Sequence, residues 1–139
     1  MEPTITFSQE ISGVDWVALK HALSEDDFDN GRTPDQFRLS FENSHSVCFA
    51  RAEGEIVGKA RVLSDGVGNA YLLDVWTQIA YRNQGIASEM IRILKVGLPG
   101  QHIYLQADDD NVSFYTKLGF SPQPNGMFCI VGEYLKASK

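Results

Sequence analysis

Two stretches of this chain combine residue types at spacings that could do chemistry. The first is Tyr81-Arg82-Asn83-Gln84-Gly85-Ile86-Ala87-Ser88. It follows an apolar run, Tyr71 to Thr77, and opens a helical pattern, Ile86 to Val96. A strand that passes into a helix through small residues leaves several backbone N–H groups unpaired and aimed one way. With the positive end of the helix dipole they make a seat for a phosphate or pyrophosphate. A side chain at Gly85 or a larger one at Ala87 would hold the anion off the backbone, and Arg82 adds a cation at the rim. The competing reading is a plain turn that uses glycine for steric reasons. The second stretch is Asn111-Val112-Ser113-Phe114-Tyr115-Thr116-Lys117-Leu118-Gly119-Phe120. On a helix Phe114 and Leu118 share one face and can enter a core, while Tyr115 shares another with Asn111. Tyr115 is then either a hydroxyl presented to the loop or an ordinary half-buried aromatic.

The elements that must position these residues follow from the pattern. Ile5 to Phe7 suits a first strand. Ser12 suits an N-cap with Asp15 in the first turn, ahead of Trp16, Leu19 and Leu23 at helical spacing. Ser24 to Gly31 is acidic and turn-rich, so a loop is expected. Thr33-Pro34-Asp35-Gln36 opens a second helix with a capping box, and Phe37 and Phe41 give it an apolar side. From Ser46 the period becomes two. Ser46 to Ala52, a turn at Glu53-Gly54, and Glu55 to Leu63 predict a hairpin, with Ala70 to Thr77 as the next strand. After the loop and its helix, His102 to Gln106 reads as a strand and Asp110 or Asn111 begins a short helix with Gly119 at C′. Met127 to Leu135 reads as a last strand. The expected fold is one α/β domain over residues 1–139, with a mixed, mainly antiparallel sheet and helices on both faces.

Composition narrows the class. The chain has 139 residues, 43% hydrophobic and 22% charged, which suits one globular domain with a core. No apolar run reaches the roughly 20 residues that span a bilayer, and Met1-Glu2-Pro3-Thr4 lacks a signal pattern, so no membrane partner is expected. Two cysteines, Cys48 and Cys129, and three histidines suggest neither a disulfide framework nor a metal site, and a cytoplasmic setting is expected. A net charge of −6 argues against nucleic acid as a partner and would mildly attract a cationic substrate.

Arg82-Asn83-Gln84-Gly85-Ile86-Ala87 resembles the Q/R-x-x-G-x-G/A signature of the GNAT N-acetyltransferases, and Phe114 to Phe120 resembles that family's second landmark. The resemblance covers about Ser46 to Tyr134. Within the family it points to small plastid and cyanobacterial-type enzymes, through Ala60 to Gly66, Asp74-Val75 and Gly126-Met127-Phe128. Some of those acetylate serotonin-like arylalkylamines or protein amines. The resemblance implies a sheet whose central strands splay apart and acetyl-CoA as co-substrate. The pyrophosphate would sit on N–H groups of Asn83, Gln84, Gly85, Ile86, Ala87 and Ser88, with Arg82 at the rim. The pantetheine arm would run along the strand edge at Val75, Trp76 and Thr77. Two positions depart from the family pattern at the second landmark: its usual asparagine falls on Asp108, and Asn111 replaces a small residue. Ile79 stands where a proline usually precedes the loop.

Acetyl transfer to an amine needs an oxyanion donor, help for the departing thiolate and a route for the amine proton. A backbone N–H near Val75 to Thr77 is the implied donor, and Tyr115 the implied partner of the sulfur. Asp74 is the acidic candidate for a base; its other possible roles are binding a cationic amine or fixing the sheet. Trp76, Phe28 and Trp16 either line an acceptor pocket or pack the core. The expected acceptor is a small arylalkylamine or other small amine, with a peptidyl amine as the alternative and monomer or homodimer as the expected state. A module that binds acyl-CoA without turnover is the reading from another class. Mononucleotide binding is disfavoured because no GK[ST] follows the glycine.

Overall fold

The computed structural model describes residues 3–131. Strand β1 (Ile5–Ser8) is followed by helices α1 (Trp16–Glu25) and α2 (Pro34–Glu42). A meander of β2 (Ser46–Ala52), β3 (Glu55–Ser64) and β4 (Asn69–Thr77) comes next, then α3 (Ile86–Val96), β5 (His102–Tyr104) and α4 (Val112–Lys117). The five strands lie in the order β1-β2-β3-β4-β5. All neighbours are antiparallel except β4 and β5, which run parallel.

Local chemistry sets most boundaries. Thr33 and Gln36 form the expected capping box at α2: the Thr33 hydroxyl accepts from the Gln36 N–H at 3.1 Å, and the Gln36 side chain accepts from the Thr33 N–H at 2.9 Å. For α1 the cap is Asp15 rather than Ser12, because the Asp15 carboxylate accepts from the Ala18 N–H at 3.0 Å and the chain still turns at Gly13, with φ 81°. The β5 strand stops at Tyr104, two residues short of the expected end. The last expected strand is not seen over Met127 to Val131, where Met127, Phe128 and Val131 are exposed, and its remainder lies outside the described residues.

The sheet is buried on both faces by two separate clusters. Along β2 the alternation is clean: Val47 and Phe49 face α1 and α2, while Cys48, Ala50 and Ala52 face α3. On the first face Leu19 and Leu23 of α1 and Phe37 and Phe41 of α2 close over Phe49 and Trp76. Trp16 adds ring contacts at 5.1 Å to Phe37 and 5.5 Å to Phe41. On the second face α3 inserts Ile86, Met90, Ile91 and Leu94 against Val62, Ala70 and Leu72. Its approach to β3 depends on Gly58, where an added Cβ would stand 3.2 Å from Ile86 Cγ2 and Met90 Cε, and 3.3 Å from Ala50 Cβ.

Strand β4 changes face part-way. Leu72 and Trp76 are four residues apart and would share a face on a regular strand, yet they lie in opposite clusters. The register explains this: Arg61 pairs with Leu73 but Lys59 with Trp76, so β4 spends one extra residue where β3 spends none. Asp74, at φ 59°, lies in this bulge. A non-glycine residue held there costs about 1–3 kcal/mol unless its surroundings over-determine it. On the other edge the β4–β5 pairing covers only Asn69, Ala70 and Tyr71, then ends. The two strands part just before the bulge.

The packing at Gly58 makes a direct forecast. Gly58→Val should destabilise the fold by about 1–3 kcal/mol through overpacking against α3. A lowered urea midpoint with an unchanged denaturant slope is the expected readout; an unchanged midpoint would mean that α3 can shift freely.

Candidate active site

The parting of β4 from β5 leaves Leu72 to Thr77 without a partner strand on that edge among the described residues. Past Thr77 a short turn, Ile79–Tyr81, leads into the Arg82 to Ser88 loop. Asn83 and Gly85 both take left-handed conformations, with φ 65° and 81°. Gly85 is the N-cap of α3 and has no side chain to offer; no side chain caps this helix. Its first N–H groups therefore keep their hydrogen-bonding capacity for something else. A Cβ added to Gly85 would meet nothing within 4 Å, so the hollow in front of it is open. Ala87 and Ser88 are half-buried in the first turn. The N-terminus of α3 thus faces open space at Gly85 without a side-chain cap.

Arg82 does a different job from the one its position suggests. Its Nε donates to the Thr77 carbonyl at 2.9 Å, its Nη2 reaches Asp26 Oδ2 at 3.4 Å, and the guanidinium lies 5.5 Å from the Phe28 ring centre. The side chain braces the loop against the end of β4. Asp26 is the other half of that brace, and nothing in the sequence pattern marked it out. One of its oxygens, Oδ2, also accepts from the Trp76 indole at 3.1 Å and the Ile79 N–H at 3.0 Å. Residues at least fifty positions away are thus tied by one carboxylate. Trp76 is buried in the α1–α2 cluster, so its side chain is core and only its main chain borders the open edge. Phe28 is half exposed under Arg82.

Tyr115 lies on α4 and packs against the same cluster as Val75, Tyr81 and Ala87. Its main chain is pinned by the helix end: the Phe120 N–H donates to the Tyr115 carbonyl and the Gly119 N–H to the Thr116 carbonyl, both at 3.1 Å, with Gly119 at φ 98° as expected for C′. Rings of Phe114 and Phe120 flank it at 4.9 and 5.8 Å. Burial pushes the Tyr115 phenol up, and the Asp108 charge adds to the rise, so at neutral pH the hydroxyl keeps its proton and can donate it. Tyr115 also lines a cavity of about 410 Å³ with Tyr71, Tyr104, Leu105, Phe120 and Met127. None of Arg82 to Ser88 borders that cavity. Asp108 and Asn111 frame the short turn before α4, where the Asn111 N–H donates to the Asp108 carbonyl at 2.8 Å; both side chains are exposed and neither caps a helix.

Asp74 does not fit the role of a base. Arg32 donates to its two oxygens at 3.0 and 3.2 Å, and the Arg61 Nε makes a short hydrogen bond to Oδ2. Lys59 Nζ lies 3.8 Å from Oδ1 and donates to the Asp74 carbonyl at 2.9 Å. Burial would raise the Asp74 carboxyl, but the charges of Lys59, Arg32 and Arg61 outweigh it and hold the group well below the usual carboxylate range. It stays ionised and cannot take a proton near neutral pH. Of the roles open to it, fixing the sheet is the one its contacts support, since the same cations clamp the bulge.

The sequence matches the profile of the Acetyltransferase (GNAT) family over residues 15–120. The chain belongs to the GNAT acetyltransferase family. Among curated relatives it is 35% identical over 78 residues to GCN5-related N-acetyltransferase 2, chloroplastic, of Arabidopsis thaliana, covering 54% of this chain and 30% of that protein. It is also 35% identical over 75 residues to the histone acetyltransferase TAP1 of Glycine max, covering 52% and 32%. The chain spans about a third of the length of these relatives. Solved GNAT-type structures match nearly throughout. A Deinococcus radiodurans protein assigned as an acetyltransferase superposes with a TM-score of 0.76 at 28% identity, covering 94% of this chain and 89% of that one. Glucosamine-6-phosphate N-acetyltransferase of Arabidopsis thaliana has the same fold, with a TM-score of 0.74 at 19% identity over 93% and 99%. No helix among the described residues is long and apolar enough to cross a membrane.

In this GNAT domain the cation cluster at Asp74 makes a pH-dependent contribution to stability. Burial pushes the Lys59 ammonium down to about 8, Asp74 opposes the fall, and Arg32 and Arg61 add to it. An unfolded lysine titrates near 10.4, so between roughly pH 8 and 10 the unfolded chain binds more protons and stability from this group rises with pH. Lys59→Met should flatten that rise when urea midpoints at pH 8 and 10 are compared with wild type; an identical pH dependence would assign the proton elsewhere. Asp26→Ala, which frees Arg82 and Trp76 together, should raise the acetyl-CoA dissociation constant at least fivefold in calorimetry. Unchanged affinity would remove Asp26 from the positioning of the loop.

Proposed function

We propose that this GNAT domain is an acetyl-CoA-dependent N-acetyltransferase that moves the acetyl group directly to a primary amine. The observation that carries this reading is the conjunction of three features. An open β4 edge at the bulge leads into an uncapped α3 N-terminus, and α4 presents a protonated tyrosine to the same cluster.

Acetyl-CoA, when bound, would supply a thioester already activated toward amines. The main-chain N–H groups of Asn83 to Ser88 would hold the pyrophosphate, with the α3 dipole behind them. The main chain of Val75, Trp76 and Thr77 would take the pantetheine arm as an added strand edge, and one N–H there would donate to the carbonyl oxygen. As the amine nitrogen bonds to the acetyl carbon, the carbon–sulfur bond breaks and its electron pair goes to sulfur. Tyr115 would donate a hydrogen bond to that sulfur and return a proton to it. A thiol near 8.5 against a phenol above 10 makes this assistance to departure rather than strong acid catalysis. Asp74 is occupied by three cations, so the amine would arrive neutral, and the proton its nitrogen sheds on forming the amide would pass to water. A small amine is the acceptor we favour, with a peptidyl amine as the alternative.

CoA release with a thiol reagent over a panel of amines tests the activity. Tyr115→Phe should lower kcat at least tenfold while the KM for acetyl-CoA changes less than threefold. An unaltered kcat would take Tyr115 out of the reaction. Tight acetyl-CoA binding with no turnover on any amine would replace the enzyme by an acyl-CoA-binding module.

A further inference from the structure

Three cations meet a single carboxylate on the α1–α2 side of β4. Among the described residues, Asp74 is the only carboxylate ion-paired with Arg32, Lys59 or Arg61. The other partners are neutral. Arg32 donates through Nε to Asn30 Oδ1 at 3.0 Å and through Nη1 to Ser40 Oγ at 2.7 Å. Arg61 Nη1 reaches the Ser40 carbonyl and Ser44 Oγ at 3.4 Å. The phenyl faces of Phe37 and Phe41 lie 4.8 to 5.9 Å from the cationic centres. The formal count is three positive charges to one negative, in a chain whose net charge is −6.

Such an excess is costly where it is placed. Arg32 and Lys59 are only 7% and 3% exposed, so water screens them poorly. Burial is the main cause of the lowered Lys59 ammonium, and the charges of Arg32 and Arg61 add to it against that of Asp74. The cluster is not sealed, however: the Arg61 and Asp74 side chains keep 11% and 16% of their surface in contact with solvent. Arg61 Nη2 has no hydrogen-bond partner among the described residues. Position matters as much as charge. Asp74 immediately precedes Val75 to Thr77, the stretch proposed to hold the thioester, and Arg32 ends the loop between α1 and α2 on the face away from α3.

We propose that the acceptor carries an anionic group, a carboxylate or a phosphate, which docks on Arg61 with Arg32 and Lys59 behind it while its amine reaches Val75 to Thr77. Arginine suits this task because its planar fork can keep Asp74 on one edge and accept a second anion on the other. The proposal rests on the acetyltransferase reading and sharpens it: the acceptor class becomes amino acids or amino phosphates rather than uncharged arylalkylamines.

The test compares matched acceptors that differ only in the anion. CoA release is measured with 4-aminobutyrate against 4-aminobutanamide, with 2-aminoethyl phosphate against ethanolamine, and with tryptamine. Calorimetric titration of each into the CoA-bound protein runs in parallel. At least one anionic acceptor should exceed its neutral match tenfold or more in kcat/KM, and the pair that responds separates carboxylate from phosphate. Arg61→Gln should bring that ratio near one, and Arg61→Lys should retain part of it. Thermal stability and acetyl-CoA binding show that the variants are folded. Neutral acceptors used as well as anionic ones, or a folded Arg61→Gln that keeps the ratio, would overturn the proposal. Failure of every amine to turn over would instead remove the acetyltransferase reading. Calorimetry then decides the site alone: an anion bound to wild type and lost in Arg61→Gln supports it, and no anion binding overturns it.

Discussion

The clamp of Arg32, Lys59 and Arg61 on Asp74 is the interaction on which the architecture of the open edge depends. A left-handed aspartate in the middle of a central strand is unfavourable by itself. Here its carboxylate is held by two guanidinium groups and its carbonyl by a buried ammonium. The extra residue turns Trp76 into one cluster and leaves Val75 against the other. The pairing of β4 with β5 ends at Tyr71, just before the bulge. The bulge produces the change of face, and the open edge begins immediately before it.

Around that event the fold distributes its labour between faces. The α3 side supplies the uncapped helix start, Gly58 for close approach and the shell that holds Tyr115. The α1–α2 side supplies the aromatic cluster and the cations. Each α1–α2 cation is backed by a phenyl ring, an arrangement in which ring quadrupoles offset part of the lost hydration. Asp26 and Arg82 connect the sides at the end of β4.

Local rules were legible in the sequence wherever a few neighbouring residues decide the outcome. The Thr33–Gln36 capping box, the β2–β3 hairpin around Glu53-Gly54, the α3 start at Gly85 and the Gly119 helix end all follow from chemistry within about five positions. Ser12 lost to Asp15 because both are good caps and only the path of the chain at Gly13 decides between them. The candidate site was half legible. The loop at Arg82 to Ser88 and Tyr115 carry motif-like spacing, whereas the partners of Asp74 come from the α1–α2 loop and β3 and have no common spacing to read. A carboxylate on a strand looks like a base until its cations are known. Asp26 was invisible for the same reason: its three donors lie at least fifty residues away. The expected last strand shows the limit of composition, since Met127 to Val131 have strand-like residues but lack a strand in the described region.

The two buried clusters share no side chain. Mutational drift in one can therefore be absorbed without repacking the other, so the α1–α2 half can diversify while the α3 half keeps its geometry. That freedom ends at two carboxylates. Asp74 and Asp26 each bind groups from several elements, so any lineage that reshapes the α1–α2 side must carry both along or rebuild the strand between them.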